Sequence, residues 1–215
     1  MPFVAASIVH VVALGVGVDA VSGPTKLMLM PLLAIGVLWG GRGSTTSTPF
    51  TFLFLAIALS WLGDGADTFF PMAPELPVML TCFGLAHLCY IWLFWRHLAV
   101  RRLPRWTLLY ALWWVVMLAV LFPLLGALTI GIALYGVVLG GTAVAASRCH
   151  PLVVWGGASF LVSDTLLSIQ LFVPGAPAWL DPLIMLTYCA AQGLIATGVV
   201  VATRGIRPRT ERALA

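Results

Sequence analysis

An apolar run over residues 106–147 is the feature that most limits how this chain can fold. It extends for about 40 residues without a single Asp, Glu, Lys or Arg. About 20 consecutive apolar residues are enough for one helix to cross a bilayer, so this run fits two crossings. We divide it at the segment FPLLGAL and predict a tight turn at Pro123 and Gly126. Without that turn the chain would have one crossing fewer.

The composition of the whole chain agrees with a membrane location. Hydrophobic residues make up 61% of the 215 residues and charged residues only 8%, whereas soluble domains carry about 25% charged residues. The net charge of +4 is therefore attributed to the loops between membrane helices rather than to a nucleic-acid partner. The N-terminal segment MPFVAASIVHVVALG has no basic residue before its apolar stretch, so we do not expect a cleaved signal peptide.

Breaks at Pro, Gly and polar residues divide the chain into eight predicted membrane helices. Their predicted bounds are 3–21, 26–41, 50–67, 78–95, 106–125, 128–147, 152–172 and 182–203. The predicted fold is therefore all-α, a polytopic membrane protein with one eight-helix domain over residues 1–203. A short basic cytoplasmic tail over residues 204–215 is predicted to follow it.

The arginines predict the orientation of these helices. With eight crossings and a cytoplasmic N-terminus, every arginine falls on the cytoplasmic side, at positions 42, 96, 101, 102, 105, 148, 204, 207, 209 and 212. The opposite side receives most of the acidic residues together with Lys26, which is the only basic residue to break the positive-inside rule. We predict a multi-pass protein of the cell membrane with both termini in the cytoplasm.

A weak internal repeat accompanies this arrangement. The segments LGDGADTFF and VSDTLLSIQ each carry an aspartate at the same point of the third and the seventh predicted helix. Asp64 precedes His87 by 23 residues, and Asp164 precedes Tyr188 by 24. Because both helices run in the same direction, the sequence predicts a parallel four-plus-four duplication.

Three aspartates lie within or at the end of predicted membrane helices, where carboxyls are rare. Asp164 lies 12 residues into the seventh predicted helix, at a cost of about 2.5–3.5 kcal/mol on insertion scales. Asp64 and Asp67 are three residues apart and are predicted to share one face at the outer end of the third helix. The alternative for these two is an ordinary helix end at the membrane interface.

Other polar side chains are predicted to converge with these aspartates. His87 and Tyr90 share a face of the fourth helix, Tyr188 and Gln192 share a face of the eighth, and Lys26 opens the second. Together they predict one polar cavity in the outer half of the bilayer. The alternative is that they only hold helices together, with Lys26 extending to the interface.

Two carboxyls in one poorly hydrated cavity do not ionise together readily, so one tends to keep its proton while the other carries charge. Such a pair suits acid/base cleavage of ether or acetal-like bonds, as in glycoside hydrolysis. The four cysteines show neither a CxxC pair nor metal-ligand spacing, and we predict that they are reduced, buried thiols with no metal.

At these residues the sequence resembles the YhhN-type lysoplasmalogenase family of integral membrane hydrolases. The resemblance covers roughly residues 24–200 and rests on five segments in order: TKLMLMP with Lys26, LSWLGDGADTFF with Asp64, FGLAHLCYIWLF with His87 and Tyr90, SFLVSDTLLSIQLF with Asp164, and LTYCAAQGLIATG with Tyr188 and Gln192. The chain departs from the family pattern at Leu27, where a proline is favoured, and at Asp67, where an aliphatic residue is favoured.

The resemblance implies hydrolysis of the vinyl ether bond of a lysoplasmalogen, which gives a fatty aldehyde and glycerophospho-ethanolamine or glycerophospho-choline. The substrate would be a membrane lysophospholipid, and no metal or organic cofactor would be needed. On this interpretation Asp64 and Asp164 are catalytic, and Lys26 meets the lipid phosphate. His87 and Tyr90 would orient a carboxyl or the water, and Tyr188 and Gln192 would support Asp164. Asp67 is left without an assigned role, and no feature of the sequence points to an oligomeric state.

Two other classes of protein remain open at this point. An intramembrane aspartyl protease also uses two aspartates, and WLGD approaches its GxGD motif. However, Trp61 replaces the first glycine, and no Tyr-Asp pair accompanies the second aspartate. A proton-coupled transporter or a lipid-binding protein would use Asp164 as a relay, and the internal repeat favours it slightly.

Overall fold

The computed structural model describes residues 2–42, 45 and 47–206 as helices joined by turns, with no strand among them. The helices are α1 Pro2–Gly15, α2 Asp19–Gly40, α3 Thr48–Asp64, α4 Ala66–Phe69, α5 Glu75–Leu93, α6 Leu108–Leu125, α7 Thr129–Ala146, α8 Pro151–Phe172 and α9 Leu180–Ile206. A π-helical turn, Phe94–Leu98, extends α5. The all-α prediction is confirmed for the described residues, while residues 207–215 of the predicted tail lie outside them.

Several of these helices are long and apolar enough to cross a bilayer, which makes the chain a multi-pass membrane protein. Five such segments occur in the described part of the chain: Asp19–Gly40, Glu75–Leu98, Arg105–Ala146, Pro151–Phe172 and Leu180–Arg204. α1 and α3 are apolar but shorter, with 14 and 17 residues, and 14 residues of helix span about 21 Å. Eight crossings therefore remain a prediction.

The segment Arg105–Ala146 folds back on itself as the helical hairpin of α6 and α7. Trp114 Nε1 on α6 donates to the Ala133 carbonyl on α7 over 3.0 Å. The turn begins at Gly126, which has φ +52°, a value that favours glycine. Pro123 lies inside α6, so the predicted division is right but its proline does not form the turn.

α2 begins seven residues before its predicted start, at Asp19 rather than at Lys26. Pro24 lies early in α2, where it removes one helix hydrogen bond without stopping the helix. Lys26 is consequently held on an ordered helical turn instead of at a fraying end.

α3 ends at Asp64 because Gly65 allows a very close approach of its neighbours. A Cβ at Gly65 would lie 2.5 Å from Phe69 Cε2 and 2.8 Å from Leu27 Cδ2. The chain then turns into α4, which carries Asp67. The prediction that Asp64 and Asp67 share one helix face is therefore wrong, since a helix break separates them.

Small residues bring the helices of the bundle together, as is usual in membranes. α8 packs on α9, and α3 packs on α5. A Cβ at Gly156 of α8 would lie 2.7 Å from Ile195 Cγ1 and 3.0 Å from the Ala191 oxygen, both on α9. α2 also packs on α3 and α7 on α8. These are pairs that a four-plus-four duplication would relate, and the duplication itself stays a prediction.

At one end of the bundle, arginines connect helix ends and loops by hydrogen bonds and by stacking on tryptophan. Arg101 donates to the carbonyls of Ser147 and Cys149 over 2.9 and 3.1 Å, and Arg204 on α9 donates to the Gly40 carbonyl at the end of α2. Arg148 stacks on Trp95 with 4.3 Å from its guanidinium carbon to the ring centroid, an arrangement that suits a membrane interface. The cytoplasmic location of this end remains a prediction.

The close contact at Gly156 predicts how two glycine substitutions will differ. Gly156→Ala forces α8 away from α9 and should lower the free energy of unfolding by about 1–3 kcal/mol. Gly36→Ala in α2 is the matched control, because a Cβ there meets no atom within 4 Å, and it should be neutral or slightly stabilising. Unfolding of the purified protein in detergent, followed by circular dichroism, measures both. Equal losses in the two variants would contradict the close packing.

Candidate active site

Two buried carboxyls face one cavity between the helices. The cavity has a volume of about 130 Å³, and its lining includes Asp64, Asp164, Lys26, Tyr135 and Tyr188. Asp64 is 5% exposed and Asp164 is 6% exposed, so water outside the bundle hardly reaches either carboxyl. The structure thus brings together residues from α2, α3, α7, α8 and α9 that are as many as 162 positions apart in the sequence, from 26 to 188.

Asp64 is held by a tyrosine of α9. The hydroxyl of Tyr188 donates to Asp64 Oδ2 over 2.7 Å, and Tyr188 is itself buried against the Phe83 and Phe160 rings, whose centroids lie 5.9 and 5.6 Å away. This contact corrects the prediction that Tyr188 supports Asp164. The sequence could not separate the two possibilities, because position along a helix does not tell which neighbour its face meets.

Behind Asp64 lies a fully buried polar cluster of Ser60, Tyr90 and Gln192, each 0% exposed. Tyr90 donates its hydroxyl hydrogen to Gln192 Oε1 over 2.6 Å. Gln192 Nε2 donates to Ser60 Oγ over 3.1 Å and lies 3.5 Å from the Tyr188 oxygen. Gln192, predicted to support Asp164, therefore belongs to the surroundings of Asp64, and Ser60 is a member that the sequence analysis missed.

Asp164 has a different set of neighbours. The hydroxyl of Tyr135 on α7 donates to Asp164 Oδ2, and His87 Nε2 on α5 lies 3.8 Å from the same oxygen. Sequence reasoning missed Tyr135 because it lies in the long apolar run, which was interpreted only as membrane helix. The run contains two tyrosines, Tyr110 and Tyr135, and a tyrosine hydroxyl toward the middle of a membrane helix was the one available indication.

His87 is fully buried and has its two ring nitrogens in different environments. Nδ1 lies 3.1 Å from the Thr142 hydroxyl oxygen, while Nε2 faces Asp164 without a hydrogen-bond partner among the described residues. The Phe160 ring packs edge-on against the imidazole with 4.6 Å between centroids. His87 therefore joins α5, α7 and α8 at Asp164, and Thr142 is a further member that the sequence did not indicate.

Asp67 does not belong to the cavity. Its side chain is exposed, it is absent from the cavity lining, and it accepts a hydrogen bond from the neighbouring Thr68 hydroxyl over 3.3 Å. The turn at Gly65 directs it away from Asp64. The cavity consequently has two carboxyls rather than three.

The remainder of the cavity is largely apolar, with one cation. Lys26 lines it and has no described carboxylate within 4.0 Å. Aromatic, Met and Leu side chains of α5 and α6 form much of the wall, among them Met79, Phe83, Trp113, Trp114, Met117 and Leu121. No group of three or more His, Cys, Asp or Glu in the described residues could hold a metal ion.

Comparison with known proteins places this arrangement in a family. The model of the YhhN family matches residues 22–199, which is most of the chain and includes every residue of the cavity named above. No curated protein and no solved structure matches the chain.

The hydrogen bond from Tyr135 to Asp164 predicts a loss of stability when it is removed. Tyr135→Phe leaves a buried carboxyl without its phenolic donor and should lower the free energy of unfolding by about 1–2 kcal/mol. Tyr110→Phe on α6 is the control, because the Tyr110 hydroxyl makes no hydrogen bond with the described residues. Unfolding in detergent compares the two, and an equal effect of both would show that the bond to Asp164 contributes nothing.

Proposed function

We propose that the protein, which belongs to the YhhN family, is a lysoplasmalogenase that hydrolyses the vinyl ether bond of a membrane lysophospholipid. The observation that carries this proposal is the pair of buried carboxyls, Asp64 and Asp164, facing one largely apolar cavity. Vinyl ethers are cleaved by acid, and a carboxyl that holds its proton in such a cavity supplies that acid at neutral pH.

Each carboxyl has one oxygen held by the protein and one left for the reaction. Oδ2 of Asp64 accepts from Tyr188, and Oδ2 of Asp164 accepts from Tyr135. Neither Oδ1 has a hydrogen-bond partner among the described residues. Neither is fully buried, so both retain some solvent-accessible surface. The two Oδ1 atoms are therefore the ones that can meet substrate and water.

The proposed reaction uses one carboxyl as acid and the other as base. The acid transfers its proton to the alkene carbon that is not bonded to the ether oxygen. The alkene carbon that is bonded to this oxygen then becomes the centre of an oxocarbenium ion. The ionised carboxyl removes a proton from water as the water oxygen bonds to that carbon, giving a hemiacetal. Cleavage of the hemiacetal C–O bond, with its hydroxyl proton passing to the leaving oxygen, releases a fatty aldehyde and the glycerol hydroxyl. One water is consumed, and the proton that the base has taken up passes to the acid, which restores both carboxyls.

The rest of the cavity suits the rest of such a lipid. The apolar wall of α5 and α6 side chains provides a surface for the alkenyl chain. Lys26 is a cation of this cavity without a carboxylate partner within 4.0 Å, which leaves its ammonium available for the lipid phosphate. Substrate and catalytic groups would then meet inside the bundle, where water is limited.

The decisive experiment incubates the purified protein with a lysoplasmalogen and, separately, with the ester lysophospholipid of the same chain length and headgroup. Aldehyde is expected from the vinyl ether and no fatty acid from the ester. Cleavage of a transmembrane peptide instead would indicate a protease. Uptake of an unchanged lipid into proteoliposomes, without aldehyde, would indicate a transporter or lipid-binding protein.

Removing either carboxyl should abolish aldehyde release. Asp64→Asn and Asp164→Asn keep the size of the side chain but can neither donate a carboxylic proton nor act as a base, so a loss of at least about 10²–10⁴-fold in kcat is expected. Asp67→Asn is the matched control and should retain full activity, because Asp67 lies outside the cavity. Full activity of either cavity variant, with folding confirmed by gel filtration in detergent, would contradict the mechanism.

Lys26→Met should weaken binding of phosphate-bearing substrate rather than the chemical step. Loss of a charge-assisted contact of this kind is expected to raise KM by roughly tenfold or more, with kcat little changed. A vinyl ether of glycerol without phosphate serves as control, and its KM should be the same for both proteins. A fall in kcat for both substrates would instead place Lys26 at the reacting bond.

A further inference from the structure

A chain of hydrogen bonds reaches Asp64 from side chains that never line the cavity. It runs from Tyr90 on α5 to Gln192 on α9, and from Gln192 to Tyr188, whose hydroxyl meets Asp64. Tyr90 and Gln192 are completely buried and absent from the cavity lining. They cannot touch a substrate held there, so any effect they have on a reaction is indirect, and their hydrogen bonds lead to Tyr188 and Asp64.

This series of hydrogen bonds has one direction of donation, which is set at Tyr90. A phenol carries one hydrogen, and that of Tyr90 goes to Gln192 Oε1 over 2.6 Å. The amide is thereby fixed with Nε2 toward Ser60 and Tyr188, at 3.1 and 3.5 Å. An amide nitrogen only donates. The Tyr188 oxygen therefore accepts from Gln192, and its single hydrogen is committed to Asp64 Oδ2.

We propose that Tyr90 and Gln192 are positioning residues that make Asp64 the proton donor of the reaction, with its acidic hydrogen on Oδ1. Because Tyr188 always donates to Oδ2, a proton on Oδ2 would face another hydrogen, whereas Oδ1 is open to the cavity. The neutral acid is thus held with its O–H toward the substrate. This inference rests on the proposed vinyl ether hydrolysis and decides which of the two carboxyls acts as the acid.

The surroundings of Asp164 suit the opposite role. The Thr142 hydroxyl donates to the Val138 carbonyl over 3.1 Å, so its oxygen is free to accept from His87 Nδ1. His87 Nε2 and the Tyr135 hydroxyl then both face Asp164 Oδ2. Both carboxyls have a phenolic donor, so the difference between them lies in His87. Its Nδ1 hydrogen goes to Thr142, which leaves the lone pair of Nε2 near Asp164 as a place for the proton that Asp164 takes from water. Asp164 is accordingly the group that removes a proton from water.

A double-mutant cycle tests whether the hydrogen bonds run from Tyr90 through Tyr188 to Asp64. Tyr90→Phe removes only a hydroxyl that contacts Gln192, and we expect it to lower kcat by about tenfold with KM unchanged. Tyr188→Phe should lower kcat by at least as much. Because Tyr90 acts through Tyr188, the double variant should be no slower than Tyr188→Phe alone. If the two substitutions acted by loss of packing instead, each would lower the free energy of unfolding, and their effects would add in the double variant.

Two controls accompany this cycle. Tyr110→Phe, whose hydroxyl takes no part in the chain, should leave kcat unchanged. Tyr90→Phe combined with Tyr135→Phe should multiply the two single effects, because Tyr135 holds the other carboxyl. Unchanged kcat in Tyr90→Phe, or multiplied effects of Tyr90→Phe and Tyr188→Phe, would overturn the proposal.

An infrared measurement on the resting protein tests the same proposal without substrate. The C=O stretch of protonated Asp64 is the band that disappears in Asp64→Asn. Both Tyr90→Phe and Tyr188→Phe should shift this band, because each weakens or removes the donor at Oδ2, and Tyr135→Phe should not. Absence of such a band, or a band unmoved by Tyr90→Phe, overturns the inference even if aldehyde is released. If wild-type protein releases no aldehyde, the proposed function fails. The band shift still decides whether the hydrogen bonds run from Tyr90 through Tyr188 to Asp64.

Discussion

The need to give two buried carboxyls hydrogen-bond donors governs how the helices of this protein are arranged. A carboxyl among membrane helices has little water to satisfy it, so neighbouring helices must supply the donors. α9 presents Tyr188 to Asp64 on α3, and α7 presents Tyr135 to Asp164 on α8. The first contact joins helices that are distant in sequence, and the second joins two consecutive helices. The polar groups thus determine which apolar helices become neighbours, something that lipid-like side chains alone do not specify.

Glycine makes these contacts geometrically possible. The two helices that carry Asp164 and Tyr188 approach closely at Gly156, where no side chain separates α8 from α9. At Gly63, just before Asp64, a Cβ would lie 2.7 Å from the Phe83 ring, and that ring packs against Tyr188. The same small residues that bring the backbones together therefore set the distance from Tyr188 to the Asp64 carboxylate. Packing and the chemistry of the site are two results of one set of close approaches.

Sequence reasoning predicted the helical fold, the division of the long apolar run and the charged residues that line the cavity. It succeeded with Asp64, Asp164 and Lys26 because charged groups stand out among apolar neighbours. It failed with Tyr135 and Thr142, whose hydroxyls look ordinary in a membrane helix until the helix facing them is known. It also paired Tyr188 with the wrong aspartate, since periodicity gives the face of a helix but not its neighbour. The end of α3 was missed because it depends on the close packing of Phe69 and Leu27 against Gly65. The sequence alone does not show that contact.

The turn at Gly65 has a consequence for the electrical balance of the cavity. Had α3 continued, Asp67 would have followed Asp64 on the same face and added a third carboxyl to a space with one lysine. As the chain runs, Lys26 and two carboxyls line the cavity, and their formal charges sum to zero in the proposed mechanism, in which one carboxyl keeps its proton. On the same proposal, the lipid substrate enters a cavity without net charge and brings no counterion of its own. The turn at Gly65 thereby limits the cavity to two carboxyls, which is the number that one acid and one base require.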